Sequence, residues 1–241
     1  MAAQHAGRTF RIIGPGRAGG ALQHALASSS GWRARAPLGR GAALTDAARD
    51  VDLLVIATPD RAIAAVAAAV TPVDGTVIAH LSGSHGLDVL APHVRRAALH
   101  PLMTLPDAAL GARRLTGAWF AVAGDPLARE VVGALGGHAF VVADDERAVY
   151  HAAACVASNH VVALLAQVER LAAIAGVPFG AFFGLVAASV ENCADIGPAR
   201  ALTGPAARGD VSTIERHVAA IGARERPAYE AMVEEIRRLV S

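Results

Sequence analysis

The chain has 241 residues, 54% of them hydrophobic, and a net charge of +1. That length holds one large domain or two small ones, and the apolar content supports a packed core rather than a disordered chain. The near-zero charge excludes a bulk electrostatic pull toward nucleic acid or an anionic membrane.

The N-terminal half alternates short β-type runs with helical ones. Thr9 to Ile13 reads as a strand that runs into Gly14-Pro15-Gly16-Arg17-Ala18-Gly19, a G-x-G-x-x-G turn, and then into a helix over Ala18 to Ser28. This order suits a dinucleotide pyrophosphate. Gly14 permits the turn, Gly16 removes a side chain where phosphates approach, and Gly19 lets the helix pack closely on the sheet. The helix N-terminus then faces the negative charge. Trp32 to Leu38 is a weak second strand. Asp52 to Ala57 is the clearest strand, apolar throughout as in a buried parallel sheet. Ala62 to Val70 is helical, Thr76 to Leu81 is a strand ending at Ser82-Gly83, and Ala97 to Leu99 leads into His100-Pro101. Trp119 to Ala123 and Ala139 to Val142 are strands around a helix from Pro126 to Leu135. Repeated β-α-β units predict an α/β fold with a Rossmann-like, doubly wound parallel sheet over residues 1–146.

After Asp144-Asp145-Glu146 the pattern becomes all-helical, which predicts a second domain over residues 147–241. Arg147 to Ala175 reads as one long apolar helix stopped by Gly176 and Pro178, and such a helix is expected to be buried on most sides. Phe182 to Ala194 is a second helix. Ser212-Thr213-Ile214-Glu215 reads as a capping box opening a third, and Ala228 to Leu239 is a fourth, amphipathic one. The long helix and the last one offer apolar faces for a homodimer. No segment reads as a membrane span, the richest run (Ala62 to Val70) being too short, and residues 1–8 lack a signal-peptide core. The expectation is a soluble, cytoplasmic protein with two reduced thiols, Cys155 and Cys193, and no disulfide or metal site.

Several side chains carry candidate chemistry. An acid at the end of the second strand binds the ribose hydroxyls in NAD-selective sites, whereas here the region reads Arg33, Arg35 and Arg40 with no acid before Asp46. An arginine there suits a 2′-phosphate, so NADP(H) is the expected cofactor, with Arg40 and Arg17 as its contacts. Thr58 and Pro59, after the clearest strand, are expected to border the cofactor. Asp60 is expected to cap the next helix. Ser82 lies closer to where a nicotinamide would be, and His100 stands at a strand end near the same crevice. The long helix adds Tyr150, His151, Cys155, Ser158, Asn159 and His160. At about 100° per residue, His151 and Ser158 share a face. The loop Ala201 to Asp210 adds Thr203, a hydrogen-bond donor, and Arg208, a carboxylate clamp, with Asp210 as a turn or cap residue. His217 is open between surface and site, and His5, His24 and His93 are expected at the surface. All 22 basic residues are arginines, so no lysine acid or Schiff base is available.

These motifs together resemble a known family. Gly14 to Gly19, Ala57-Thr58-Pro59-Asp60, His80-Leu81-Ser82-Gly83, His100-Pro101-Leu102, Tyr150-His151-Ala152-Ala153, Ser158-Asn159, and Leu202-Thr203-Gly204-Pro205 with Arg208-Gly209-Asp210 are similar, in this order, to Rossmann-like proteins carrying the domain DUF2520. The resemblance implies an NADP-dependent oxidoreductase related to ketopantoate and pyrroline-carboxylate reductases. Familiar ketopantoate reductases place a catalytic lysine eight positions before an asparagine. Here His151 stands eight before Asn159, which implies that His151 takes the proton-donor role, as an imidazole near neutrality can. On this reading Asn159, Ser158 and Thr203 orient a small-molecule substrate and Arg208 holds its carboxylate. The leading expectation is an NADPH-dependent reductase of a small 2-oxo acid, ketopantoate first. The alternatives are an imine or pyrroline-carboxylate reductase and a non-catalytic NADP-binding sensor.

Overall fold

The computed structural model describes residues 7–240. They divide into two compact units, one through Ser158 and the other from Asn159 onward. In the first unit β1 (Arg8–Ile13) turns into α1 (Arg17–Ala27), and β2 (Trp32–Ala34) follows. The chain continues through β3 (Leu53–Ile56), a 3-10 turn at Asp60–Ala62, α2 (Ile63–Ala68), β4 (Val77–His80) and β5 (Arg96–Pro101). Next come α3 (Ala108–Leu115), β6 (Trp119–Gly124), α4 (Leu127–Ala134), β7 (His138–Val141) and α5 (Arg147–Cys155).

The seven strands form one sheet in the order β2-β1-β3-β4-β5-β6-β7. Its order reverses between β1 and β3, which opens the crevice where open α/β sheets bind ligands. β3 explains the two-layer core. Leu53 and Val55 pack with Leu22, Leu26 and Val131 on one face, while Leu54 and Ile56 pack with Ile63, Ala67 and Val70 on the other. A strand covered on both faces has no polar side, hence its unbroken apolar sequence.

The all-parallel expectation needs one correction, because β6 runs antiparallel to β5 and β7 then follows β6 in parallel. The Leu102 N–H bonds the Trp119 carbonyl, so β6 begins at the end of the sheet where β5 stops. Between them α3 makes an excursion and packs on α1, through Gly20 against Ala108 and Gly111 against Ala21. His93 is also corrected. It is buried, and its Nε2 lies 2.9 Å from the Ala67 carbonyl. His24 is exposed, whereas His5 lies outside the described residues.

A π-helical turn at Val156–His160 links α5 to α6 (Val161–Ala175). The second unit continues through a 3-10 turn at Phe179–Phe182, α7 (Phe183–Ile196), α8 (Pro198–Ala201), α9 (Val211–Ala220) and α10 (Arg226–Val240). α6 stops at Gly176, whose φ of +70° is the left-handed conformation that favours glycine. The expected burial of the long helix does not hold. Only Gln167 and Ala172 are buried in α6, and no residue of α7 is. Leu185 and Val190 of α7 stand 66% and 62% exposed. The small core of this unit, Ala206, Ile214 and Val233, does not extend under α7. By length and composition alone, the runs Asp144–Ala175 and Phe179–Ile196 are apolar enough to cross a membrane, with mean hydropathies of 1.4 and 1.3. That corrects the reading that no segment qualifies; the abundant Ala and Val of these helices raise the average. The capping box is corrected too. α9 starts at Val211, and Asp210 caps it by accepting the Thr213 N–H at 3.1 Å and the Ser212 hydroxyl at 3.0 Å. In the same unit Arg170 forms a two-armed pair with Glu225 at 2.6 and 2.9 Å.

Candidate functional site

The crevice beside β1 and β3 is a cleft of about 600 Å³. Gly14, Gly16, Arg40, Thr58 and Pro59 line it. The backbone dictates its glycines. Gly14 has φ +89°, and a Cβ there would stand 2.8 Å from the Ala57 carbonyl. A Cβ on Gly19 would run into the Gly14 carbonyl oxygen, while nothing lies within 4 Å of the corresponding point on Gly16. One glycine makes the turn, one keeps the phosphate approach open, and one seats α1 on the strand. Arg17, Ala18 and Gly19 begin α1, where the first amides have no carbonyl four residues back to bond. The side-chain oxygen of Thr58 is buried without a hydrogen-bond partner, although buried hydroxyls are ordinarily paired. An orphaned polar group and an exposed Arg40 in one cleft, with open helix amides directly after Gly16 on its lining, fit a phosphorylated dinucleotide. These residues would hold its pyrophosphate and 2′-phosphate.

The next strand end, after β4, carries the second half of the site. His80 is fully buried between the Ser82 N–H, which donates to its Nδ1 at 3.2 Å, and the Gly86 carbonyl, 3.1 Å from its Nε2. Burial pushes His80 down to about 4, partly offset by the Gly86 carbonyl. Ser82, expected near the nicotinamide, donates its hydroxyl to Asp60 at 2.7 Å, and Ser84 reaches the same carboxylate oxygen at 3.0 Å. Asp60 caps no helix with its side chain. It ties the loop after β3 to the loop after β4.

That bracing leaves Gly83 beneath two imidazoles. A Cβ on Gly83 would stand 2.6 Å from His151 Nδ1 and 2.8 Å from His100 Nε2. The two rings meet edge to face with centroids 5.7 Å apart. His151 Nδ1 is buried without a partner, and its Nε2 lies 3.8 Å from Cys155 Sγ. His100 Nδ1 lies 2.6 Å from the Tyr150 hydroxyl. Burial, then the neighbouring His151 and Arg147, push His100 down to about 4. Burial also raises Tyr150 above its usual value, so it keeps its proton.

Arg147 is the residue that sequence reasoning passes over. It is completely buried, donates from Nε to Asp144 at 2.9 Å, and has both terminal nitrogens unpartnered. Directly after Asp144-Asp145-Glu146 it reads as an ordinary charge at a helix start, and only the packing shows a cation under the histidines. Tyr150 and His80 were visible as members of sequence motifs, but their hydrogen bonds were not.

The remaining candidates are placed as follows. Ser158, in the middle of the π turn, donates to the Ala154 carbonyl of α5 at 2.7 Å. That turn departs from 100° per residue, so the shared face expected for His151 and Ser158 is not kept to that spacing. Asn159 is exposed in the same turn. Thr203 and Arg208 are exposed on the loop between α8 and α9, and the Arg208 guanidinium makes no ion pair among the described residues. His217 is exposed on α9, 2.7 Å from the Tyr229 hydroxyl. Among the described residues no three His, Cys, Asp or Glu side chains gather as metal ligands.

Comparison with known proteins gives the same two-part picture. Residues 3–106 match the model of the Rossmann-like domain, and residues 119–236 match that of DUF2520, a domain of unknown function. No curated protein matches the chain. Among solved structures it is similar to a Bacteroides fragilis protein provisionally described as an NADP oxidoreductase. That likeness has 19% identity, a TM-score of 0.77, and covers 97% of this chain and 99% of the other. It is also similar to a reductive aminase from Aspergillus terreus in complex with NADPH4, cyclohexanone and allyl amine (17% identity, TM-score 0.68, covering 96% and 94%). A third is pyrroline carboxylate reductase from Plasmodium falciparum with NADP bound (13% identity, TM-score 0.62, covering 98% and 99%). The fold is shared across all three. The chain thus carries matches to two domain models, Rossmann-like in its first half and DUF2520 in its second.

Proposed function

We propose that this protein is an NADPH-dependent reductase of a small carbonyl or imine compound. The observation that carries the proposal is the convergence of His100 and His151 on Gly83. Gly83 follows β4, the strand next to β3, whose end lines the nucleotide cleft. A dihydronicotinamide bound there supplies a hydride. The chain's own part is to place the acceptor beside the two imidazoles and return a proton to it, and His151 is assigned as the donor. Arg40 and Arg17 are assigned to the 2′-phosphate, which favours NADPH over NADH. Asn159 and Ser158 are assigned to orienting the substrate, Thr203 to the same task and Arg208 to its carboxylate, all on sequence grounds.

Two substrate classes follow. The carboxylate clamp assigned to Arg208 favours a 2-oxo acid, with ketopantoate as the first compound to test. The likeness to pyrroline carboxylate reductase and a reductive aminase supports the imine class. Following NADPH absorbance with ketopantoate, pyruvate, a cyclic imino acid and a ketone–amine pair tests the reading. Turnover of at least one compound that is lost in His151→Ala supports it. Binding of NADPH with no turnover of any compound supports a sensor instead.

The exposed apolar faces of α6 and α7 are assigned to a second copy of the chain, which makes the active form a homodimer. A soluble assembly, rather than a bilayer, also suits the Arg170–Glu225 pair that anchors α6. The free thiols of Cys155 and Cys193 fit the reducing cytoplasm.

A further inference from the structure

Tyr150 and His100 form a pair that the proposed chemistry does not yet use. The phenol oxygen and Nδ1 are 2.6 Å apart, and the rings meet edge to face with centroids 5.5 Å apart. So short a separation suits an O–H donor on a nitrogen lone pair better than an imidazole N–H on a phenol oxygen, whose usual distance is about 2.9 Å. Tyr150 holds its proton, because burial raises it. His100 carries one proton only, because burial lowers it. With Nδ1 accepting from Tyr150, that proton sits on Nε2. Nε2 makes no hydrogen bond among the described residues and lies 2.8 Å from the point a Cβ on Gly83 would occupy, on the glycine's side-chain-free face.

The geometry points to His100 as a neutral hydrogen-bond donor, locked by Tyr150 in its Nε2–H tautomer and aimed over Gly83 at the electron-rich atom of the substrate. Tyr150 is then a positioning residue and His100 a catalytic one. The inference rests on the reductase reading and narrows its substrate class. A fixed N–H donor beside the buried Arg147 cation stabilises an oxygen that gains negative charge during reduction, and it repels a preformed iminium. The charged groups packed around it are few. Arg147 is held by Asp144, and the Asp60 carboxylate accepts from Ser82 and Ser84 through one oxygen, so the group nearest the acceptor is the His100 N–H, which needs a lone pair that an iminium nitrogen does not have. A ketone or 2-oxo acid fits this donor, and a cyclic iminium does not.

The test reads the tautomer directly. Long-range proton–nitrogen correlation spectra of the full-length protein are recorded with and without Tyr150→Phe, with His100→Gln used to assign the ring. The expected spectrum has a protonated Nε2 and a bare Nδ1 on His100 at pH 7, and Tyr150→Phe mixes the two tautomers. A protonated Nδ1 in the unmodified protein, or a tautomer indifferent to Tyr150→Phe, overturns the proposal whether or not any substrate turns over. In NADPH oxidation the expected kcat of Tyr150→Phe is about tenfold lower with KM little changed. His100→Gln, whose amide reaches toward the Nε2 position, retains more activity than His100→Ala. Ketopantoate or pyruvate outperforms a cyclic imino acid. A tenfold preference for the imine also overturns the proposal. Absence of all turnover with the expected tautomer intact contradicts the reductase reading, not the His100–Tyr150 lock.

Discussion

His151 Nδ1 stands 2.6 Å from the point a Cβ on Gly83 would occupy, so the glycine and the imidazole define one shared space. Gly83→Ala fills it. The atoms met are the ends of the His151 and His100 side chains, not backbone, so the fold adjusts while both rings move. A misplacement near 1 Å costs roughly 100-fold in rate. The expected result is a kcat about two orders of magnitude lower with Tm changed by only a few degrees. Unchanged steady-state kinetics contradict a role for this space.

Gly19→Ala places a methyl group against the Gly14 carbonyl, which is backbone and yields little. Here both the fold and the nucleotide suffer. Thermal unfolding is expected to show a lower Tm, and NADPH to lose its stabilising shift. A variant that keeps both shows that α1 does not seat on the turn as described.

Arg40 lines the cleft with its guanidinium exposed. A charge-assisted hydrogen bond contributes about 1.5–3 kcal/mol, or roughly 10- to 100-fold in affinity. Arg40→Ala is therefore expected to weaken NADPH by that factor and to leave NADH unchanged, as read by equilibrium titration. An equal loss for both coenzymes removes the 2′-phosphate assignment.

The buried histidines set an acid limit. His80 and His100 lie near 4 in the folded chain against a usual value near 6.5. Between these values the unfolded chain binds protons that the folded chain refuses. Stability is therefore full above about pH 6.5 and falls as pH drops toward 4, by roughly 3 kcal/mol for the fully buried His80. Asp52 and Asp125 lose their contribution only at lower pH. Against the effect of burial, hydrogen bonds from Thr9 and Arg95 hold them below the usual carboxylate value of 3.8. Tm measured from pH 7 to 4.5 is expected to hold to about pH 6.5 and decline from there, with a shallower slope in His80→Asn. A flat profile down to pH 4.5 contradicts this account.

Much of the first unit is legible in the sequence, because a strand covered on both faces must be apolar and a phosphate turn must be glycine. Leu53 to Ile56 and Gly14 to Gly19 state those requirements outright. Local pattern is silent where partners are remote in the chain. Nothing near Ser82 announces Asp60, and nothing near Arg147 announces His80 and His100. The antiparallel β6 is hidden for the same reason, since its direction shows only in its pairing with β5 across the whole of α3. The helical half misleads because hydropathy reports that a face needs cover, not what covers it.

That cover gives a further prediction. Leu185 and Val190 are exposed on α7, and a second copy is assigned to bury them. Sedimentation equilibrium at micromolar concentration is expected to give a dimer, with Leu185→Asp and Val190→Asp together giving a monomer. A monomeric unmodified protein contradicts the assignment.

The central claim is that the crevice between β1 and β3 holds NADP(H) for reduction. Titration of the purified protein with NADPH and then NADH, followed by nicotinamide fluorescence, tests it most directly. Saturable binding at micromolar NADPH, at least tenfold tighter than NADH, is the predicted result. No binding of either coenzyme, or a preference for NADH, contradicts it.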